Sequence, residues 1–279
     1  MKKRFVLTTA FLLVFSLLNV YAQSNAAFHI GSAKAFRGNT VIATVFVSDR
    51  STSWSRTETD TMTGYMREGM TWLINEARRY NTTISFTEHW LNNNQELKLD
   101  RMPATGSGRR AEIAENISEV ILNRLGYRRP LDLYNELIAG PGVDHVVLML
   151  ILKTNIDSCF AFPFSHGDCR DTGYLETIVQ IVPNMRDAAE FRGVCFAHEI
   201  LHLFGAEDFY QGGRVTRRIN QTLRQMFPRS IMHEICDDFS RYEVDHYTAW
   251  IIGWHNEPRP EYATLHPEVA ATLRNAQTR

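Results

Sequence analysis

Residues 144–153 read DHVVLMLILK and form the most apolar run that follows the N-terminal segment of the chain. A run of this length, rich in Val, Ile and Leu, is typical of a strand that is buried on both faces of a sheet. Residues 40–48 (TVIATVFVS) are apolar and β-branched and predict a second buried strand. The other predicted elements are strands over 82–90 and 177–182 and helices over 59–80 and 111–125. Because strands and helices alternate, the sequence predicts an α/β protein with a layered sheet.

The composition limits the class of protein and its partners. The chain has 279 residues, of which 44% are hydrophobic and 22% are charged, and its formal net charge is -1. This apolar content is sufficient for a packed core and excludes a largely disordered chain. A charge balance near zero offers no electrostatic footprint for nucleic acid or for an anionic membrane, so neither is expected as a partner.

The N-terminus has the pattern of a secretory signal peptide. Lys2, Lys3 and Arg4 precede an apolar run over 5–18, and small residues then allow cleavage after Ala22. The apolar run is shorter than the roughly 20 residues that a transmembrane helix needs. The sequence therefore predicts that residues 1–22 are removed and that the protein is exported, either secreted or periplasmic.

Export changes the interpretation of the four cysteines. Cys159, Cys169, Cys195 and Cys236 all follow the signal peptide, and an even count outside the cytosol favours two disulfide bonds. Three pairings are open. We favour Cys159 with Cys169, which closes a short loop, and Cys195 with Cys236, while buried free thiols are the alternative.

The stretch 187–208, DAAEFRGVCFAHEILHLFGAED, predicts a helix with unusual polar content. Asp187 and Glu190 have the spacing of a capping box at its start. Gly205 is a natural helix stop, because glycine readily adopts the left-handed conformation that ends many helices. The start and stop signals together predict that this stretch is a helix.

Within this helix, His198 and His202 are four residues apart and therefore share one face. Two imidazoles so placed can bind one zinc ion, and Glu199 beside the first of them is the residue that acts as general base in metal-assisted hydrolysis. The bare H-E-x-x-H pattern also arises by chance, so its context matters.

The continuation of the pattern resembles a known group of enzymes. The sequence from His198 to Asp208 reads H-E-x-x-H-x-x-G-x-x-D, which resembles the metzincin clan of zinc peptidases, in which the glycine turns the chain back to deliver a third ligand. That ligand is usually His, whereas the Asp found here resembles snapalysin-type metzincins. A carboxylate oxygen is an acceptable zinc ligand, so the resemblance implies His198, His202 and Asp208 as the ligands of Zn²⁺. The residues that remain open as alternatives to Asp208 are Glu207, Glu243 and His246.

A second element supports the same resemblance. Ser230, Ile231 and Met232 follow in the order expected of the metzincin Met-turn, a tight turn whose methionine lies beneath the ligand histidines. The resemblance implies a zincin-like α/β (α+β) fold with a twisted mixed sheet, an antiparallel edge strand, an active-site helix, a Met-turn and a C-terminal helix. Residues 158–164 resemble the edge strand that pairs with an extended substrate.

The resemblance implies a secreted zinc-dependent endopeptidase that acts on peptides or proteins through Glu199. It divides the chain into a signal peptide (1–22), a short N-terminal segment (23–39), a metallopeptidase catalytic domain (40–256) and a polar C-terminal tail (257–279). Loops over 91–108 and 209–229 are expected to shape substrate preference. The alternative is a non-catalytic secreted binding module with structural zinc or none, but Glu199 favours an enzyme because a structural site needs no such carboxylate.

Overall fold

The computed structural model describes most of the chain from residue 35 onwards. The described residues are 35–102, 110–154, 159–162, 175–182, 192–211, 215–233, 238–257 and 259–265. The strands are β1 (Gly38–Ser48), β2 (Ile84–Trp90), β3 (Leu97–Lys98), β4 (His145–Lys153), β5 (Cys159–Phe162) and β6 (Thr177–Val182). The helices are α1 (Arg56–Arg79), α2 (Arg110–Arg124), α3 (Pro130–Ile138), α4 (Gly193–Leu203), α5 (Arg217–Met226), α6 (His246–Ile251) and α7 (Tyr262–Leu265). Short 3₁₀ turns lie at Leu91–Asn94 and Phe239–Arg241.

One mixed sheet organises these elements, in the order β2-β1-β4-β6-β5, with β3 paired to the end of β1. The strands β1, β2, β3, β4 and β6 are parallel to one another where they pair, and β5 runs antiparallel to β6 at one edge. The predicted α/β class and the central position of the 144–153 strand are thus confirmed. Apolar residues run continuously through β4 because helices cover both of its faces.

The alternating side chains of β4 supply two separate cores. Val147, Met149 and Ile151 point to the face that is covered by α1, α4 and α6. Val146 and Leu148, with every second residue after them, point to the face that is covered by α2 and α3. We call these the α4 face and the α2 face of the sheet.

The helices α1 and α4 approach each other at two glycines. A Cβ atom built on Gly69 would lie 2.5 Å from the carbonyl oxygen of Gly193, and one built on Gly193 would lie 2.9 Å from the amide nitrogen of Gly69. These distances are below any real Cβ contact, so the two backbones touch directly. The active-site helix of the sequence prediction is therefore seated on α1 without an intervening side chain.

The structure extends the sequence-based boundaries in several places. The core of the α4 face includes Phe36, Tyr262 and Leu265, which lie outside the predicted 40–256 domain. α3 was not predicted, and α5 occupies part of the segment 209–229 that was predicted as a loop.

Other predictions lie outside the described residues. These are the signal peptide, the proposed cap at Asp187 and Glu190, and the cysteines Cys169 and Cys236. The described helix α4 begins at Gly193, where Arg192 provides no side-chain cap. Searching the described residues for a helix long and apolar enough to cross a membrane found none.

Candidate metal centre

Three side chains converge at the C-terminal end of α4. The Nε2 atoms of His198 and His202 are 3.0 Å apart. Oδ1 of Asp208 lies 3.2 Å from Nε2 of His198 and 3.1 Å from Nε2 of His202. Among the described residues this is the one group of three potential metal ligands whose donor atoms lie together. The structure therefore brings together the three side chains that the sequence predicted as ligands.

The end of α4 explains how Asp208 reaches the histidines. The amide of Ala206 donates to the carbonyl of Leu201, and the amide of Gly205 donates to that of His202, which is the Schellman pattern of a helix end. Gly205 has φ +98°, which is the left-handed conformation that the sequence predicted for it. The chain thus reverses within three residues and returns Asp208 to the helix end that carries His202.

Backbone carbonyls fix the tautomer that each ring adopts when it is neutral. Nδ1 of His198 lies 2.9 Å from the carbonyl oxygen of Ile231, and Nδ1 of His202 lies 2.7 Å from that of Ala206. A carbonyl can only accept, so each Nδ1 carries the hydrogen and each neutral ring keeps a lone pair on Nε2. Both lone pairs therefore face the centre of the cluster, as in histidines that ligate a metal through Nε2.

This arrangement requires a positive charge. Oδ1 of Asp208 is buried and has no hydrogen-bond partner, although two nitrogen lone pairs lie close to it. Burial opposes ionisation of Asp208, yet its contacts with the two histidines hold the pKa of its carboxyl well below the usual range. Burial likewise opposes a charge on His202, but Asp208 and the attraction of Glu199 raise its pKa to about 9. Three acceptors without a donor fit a divalent cation, and a proton on His202 is the other charge that stabilises them.

A turn at residues 230–233 holds two parts of the cluster. The amide of His233 lies 3.3 Å from the carbonyl of Ser230, and the fully buried Met232 belongs to the same core as α4. The carbonyl of Ile231 accepts from His198, while the carbonyl of Met232 accepts from the amide of Phe209 at 2.8 Å. The predicted Met-turn segment is thus a turn that contacts both the first histidine and the chain next to Asp208.

Asp245 anchors this turn from the other side, a role that the sequence reasoning missed. Its carboxylate accepts from Ser230 Oγ at 2.6 Å and from Thr248 Oγ1 at 2.6 Å. It also accepts from the amides of Tyr247 and Thr248 at 2.9 Å and thereby caps α6. Ser230 Oγ in turn accepts from the amide of Met232. An Asp directly before a helix can indicate an N-cap, but no local pattern indicates the bond to Ser230.

Glu199 is buried on α4, with 6% of its surface exposed, between the two histidines in sequence. Its negative charge is among the causes that raise the pKa of His202, which lies three residues further along α4. An acidic group in this position is available to exchange protons with a molecule bound at the cluster.

The three residues that were open as alternatives to Asp208 do not belong to the cluster. Glu243 forms an ion pair with Arg79 at 3.2 Å. The ring of His246 contacts that of His255, with a centroid separation of 3.9 Å and an angle of 48° between the ring planes. Glu207 is half-buried and does not belong to the cluster that the described residues form.

The structure describes Cys195 on α4 but not the cysteine that was suggested as its disulfide partner. Cys195 is buried, and its Sγ lies 3.5 Å from Oε1 of Gln180 on β6. Its suggested partner Cys236 and both sulfur atoms of the Cys159–Cys169 pair lie outside what the structure describes, so both disulfides remain predictions.

Comparison with known proteins adds no family to this description. No protein-family model matches the chain, and no curated protein is significantly similar to it.

Proposed function

We propose that this chain is an exported zinc-dependent endopeptidase in which His198, His202 and Asp208 hold the metal ion. The observation that carries the proposal is the convergence of two imidazole lone pairs and an unpartnered carboxylate oxygen within 3.2 Å of one another. Two histidines and one carboxylate, with a remaining open position, form a ligand set of catalytic zinc sites.

Glu199 is the proposed general base. When held by His198, His202 and Asp208, zinc would supply a Lewis acid for the scissile carbonyl and would lower the pKa of water towards about 7. The Glu199 carboxylate takes the proton of the attacking water and then gives it to the departing amine. The carbonyls of Ile231 and Ala206 keep the two rings in the tautomer that presents Nε2. Because these acceptors are backbone atoms of tight turns, the rings are oriented before any substrate binds.

The fold is compatible with a zincin-like arrangement. The antiparallel edge strand β5 pairs with β6, and α4 packs beside both of them. An extended peptide that adds to this edge would lie along the sheet near α4, which is the mode of binding called β-augmentation. The same proposal includes three further points: the chain is a metzincin, the turn at residues 230–233 is its Met-turn, and the protein is exported.

Zinc content and proteolysis, measured on the same preparation, test the proposal. The mature chain should contain one zinc ion per molecule by mass spectrometry and should cleave a mixture of denatured proteins. Chelation should abolish cleavage, and zinc should restore it. Bound zinc without any cleavage would instead favour the non-catalytic binding module, and absence of zinc would overturn the metal site.

The assignment of the third ligand has its own test. Asp208→Asn keeps the size of the side chain but removes its charge, so zinc affinity should fall by more than the roughly 10–100-fold that outer-shell groups contribute. Glu207→Gln, one residue away, is the matched control and should bind zinc normally. Equal losses in the two variants would contradict the assignment of Asp208.

A further inference from the structure

The segment between Asp208 and the turn at 230–233 is strongly basic. Residues 209–229 contain five arginines and no lysine, aspartate or glutamate, whereas the rest of the chain carries a formal charge of -6. The arginines are Arg214, Arg217, Arg218, Arg224 and Arg229. Such a local excess of positive charge contrasts with the near-neutral charge of the whole chain.

Helix α5 displays most of this charge. Its N-cap Thr216 accepts from the amide of Ile219, and Leu223 anchors its apolar side in the core of the α4 face. Arg217, Arg218 and Arg224 are exposed. Within the described part of the chain, neither Arg217 nor Arg218 has an ion-pair partner.

The basic side of α5 is joined by a hydrogen bond to the segment that carries Asp208. Arg217, Asn220 and Arg224 are spaced by three and four residues and therefore form one stripe along the helix. Asn220 donates its side-chain amide to the carbonyl of Phe209, the residue directly after Asp208. The stripe is thus attached at its middle to the ligand-bearing segment, with an arginine on each side of the attachment.

From this placement we infer that the stripe of Arg217, Asn220 and Arg224 selects acidic polypeptides as substrates, an inference that rests on the proposed function. The two arginines lie about 10 Å apart along the helix. Alternate carboxylates of an extended peptide lie about 7 Å apart on one side, a spacing that long arginine side chains can follow. Guanidinium groups bind carboxylates through paired hydrogen bonds, which lysine cannot reproduce.

Binding to the inactive full mature chain tests the inference without hydrolysis. In the Glu199→Gln variant, a short labelled peptide with Glu at alternate positions is compared with the same peptide carrying Gln, by fluorescence anisotropy. The acidic peptide should bind more tightly, and adding Arg217→Gln with Arg224→Gln should weaken its binding about fivefold. Raising the salt from about 0.05 M to about 0.5 M should remove the difference, because exposed charges are screened.

The matched control removes two exposed arginines from the α2 face. Arg124→Gln with Arg128→Gln changes the net charge equally but should leave acidic-peptide binding unchanged. Equal affinity for the Glu and Gln peptides, or an equal loss in the control, would overturn the inference. A sulfated polysaccharide that binds the stripe when the acidic peptide does not would overturn it as well. Failure of the wild-type chain to cleave any peptide would count against the proposed function, while the anisotropy comparison decides the role of the stripe.

Discussion

The two faces of the sheet bury different kinds of side chains. On the α2 face, the described side chains of α2 and α3 that are buried are almost all apolar, and Ser118 is the polar exception among them. The α4 face buries Glu76, His198, Glu199 and Asp245 beside a larger apolar core. Burying ionisable groups costs free energy unless partners compensate them.

Among the described residues, the α4 face also carries the candidate metal centre. The aliphatic residues of the α2 face stabilise the fold through burial. On the α4 face three of these groups are linked through the backbone: Glu76 accepts from the amide of Val244, and the next residue, Asp245, holds the turn that contacts His198. The following predictions test this division, beginning with the largest expected effect.

Glu199→Gln should lower the rate of peptide cleavage by about 10³-fold, because the amide cannot accept the proton of the attacking water. Zinc content and the free energy of unfolding should change little. Steady-state cleavage assays, with zinc quantified on the same samples, measure both effects. Glu76→Gln is the matched control on the same face, and it should affect stability rather than rate. Wild-type cleavage by Glu199→Gln would contradict the role of this residue.

Leu133→Ala should lower the free energy of unfolding by about 2–5 kcal/mol, because it leaves a cavity in the core of the α2 face. Zinc affinity should remain that of the wild type. Urea denaturation and a zinc titration measure the two quantities. A parallel loss of zinc affinity would show that the two faces are not independent.

Asp245→Asn should have a smaller effect on stability, about 1–3 kcal/mol, since some of its four hydrogen bonds survive. It should also weaken zinc binding about tenfold, because the carbonyl of Ile231 no longer holds His198 in place. Ser118→Ala on the α2 face removes a buried hydroxyl far from the cluster and should leave zinc affinity unchanged. A normal zinc affinity in Asp245→Asn would show that the turn positions itself without this carboxylate.

Lowering the pH should have the smallest effect on the free energy of unfolding. Burial and the neighbouring His255 lower the pKa of His246 from 6.5 to about 4 in the folded protein. The unfolded chain therefore binds more protons between these values, so the free energy of unfolding should fall as the pH drops from 6.5 towards 4. His246→Gln should flatten this slope in urea denaturation across the pH range. If the dependence of the free energy of unfolding on pH is unchanged in this variant, groups other than His246 cause the sensitivity to acid.

The parts of the molecule that local sequence patterns determine were predictable. β4 follows from one continuous apolar run, and the shared direction of His198 and His202 follows from their spacing on one helix. The left-handed Gly205 follows from its place after the last apolar residue of α4. Each of these features depends on residues within about one turn or one strand of each other.

The parts that depend on distant residues were not predictable. The acceptor for Nδ1 of His198 is the carbonyl of Ile231, 33 residues away in sequence. Any residue has a carbonyl, so side-chain identity carries no signal for such a bond. Helix α5 was missed for a different reason: it has only three apolar residues, Ile219, Leu223 and Met226, and their helical spacing is a weak signal in a polar segment.

Where Gly69 contacts Gly193, no side chain lies between the backbones of α1 and α4. Ordinary helix pairs adjust to small displacements by changing side-chain rotamers, but two touching backbones have no such freedom. A single methyl group at either glycine would therefore displace α4 and, with it, the imidazoles at its C-terminal end. Substitutions at Gly69 in α1 should therefore alter the candidate metal centre, although α1 contributes none of its three side chains.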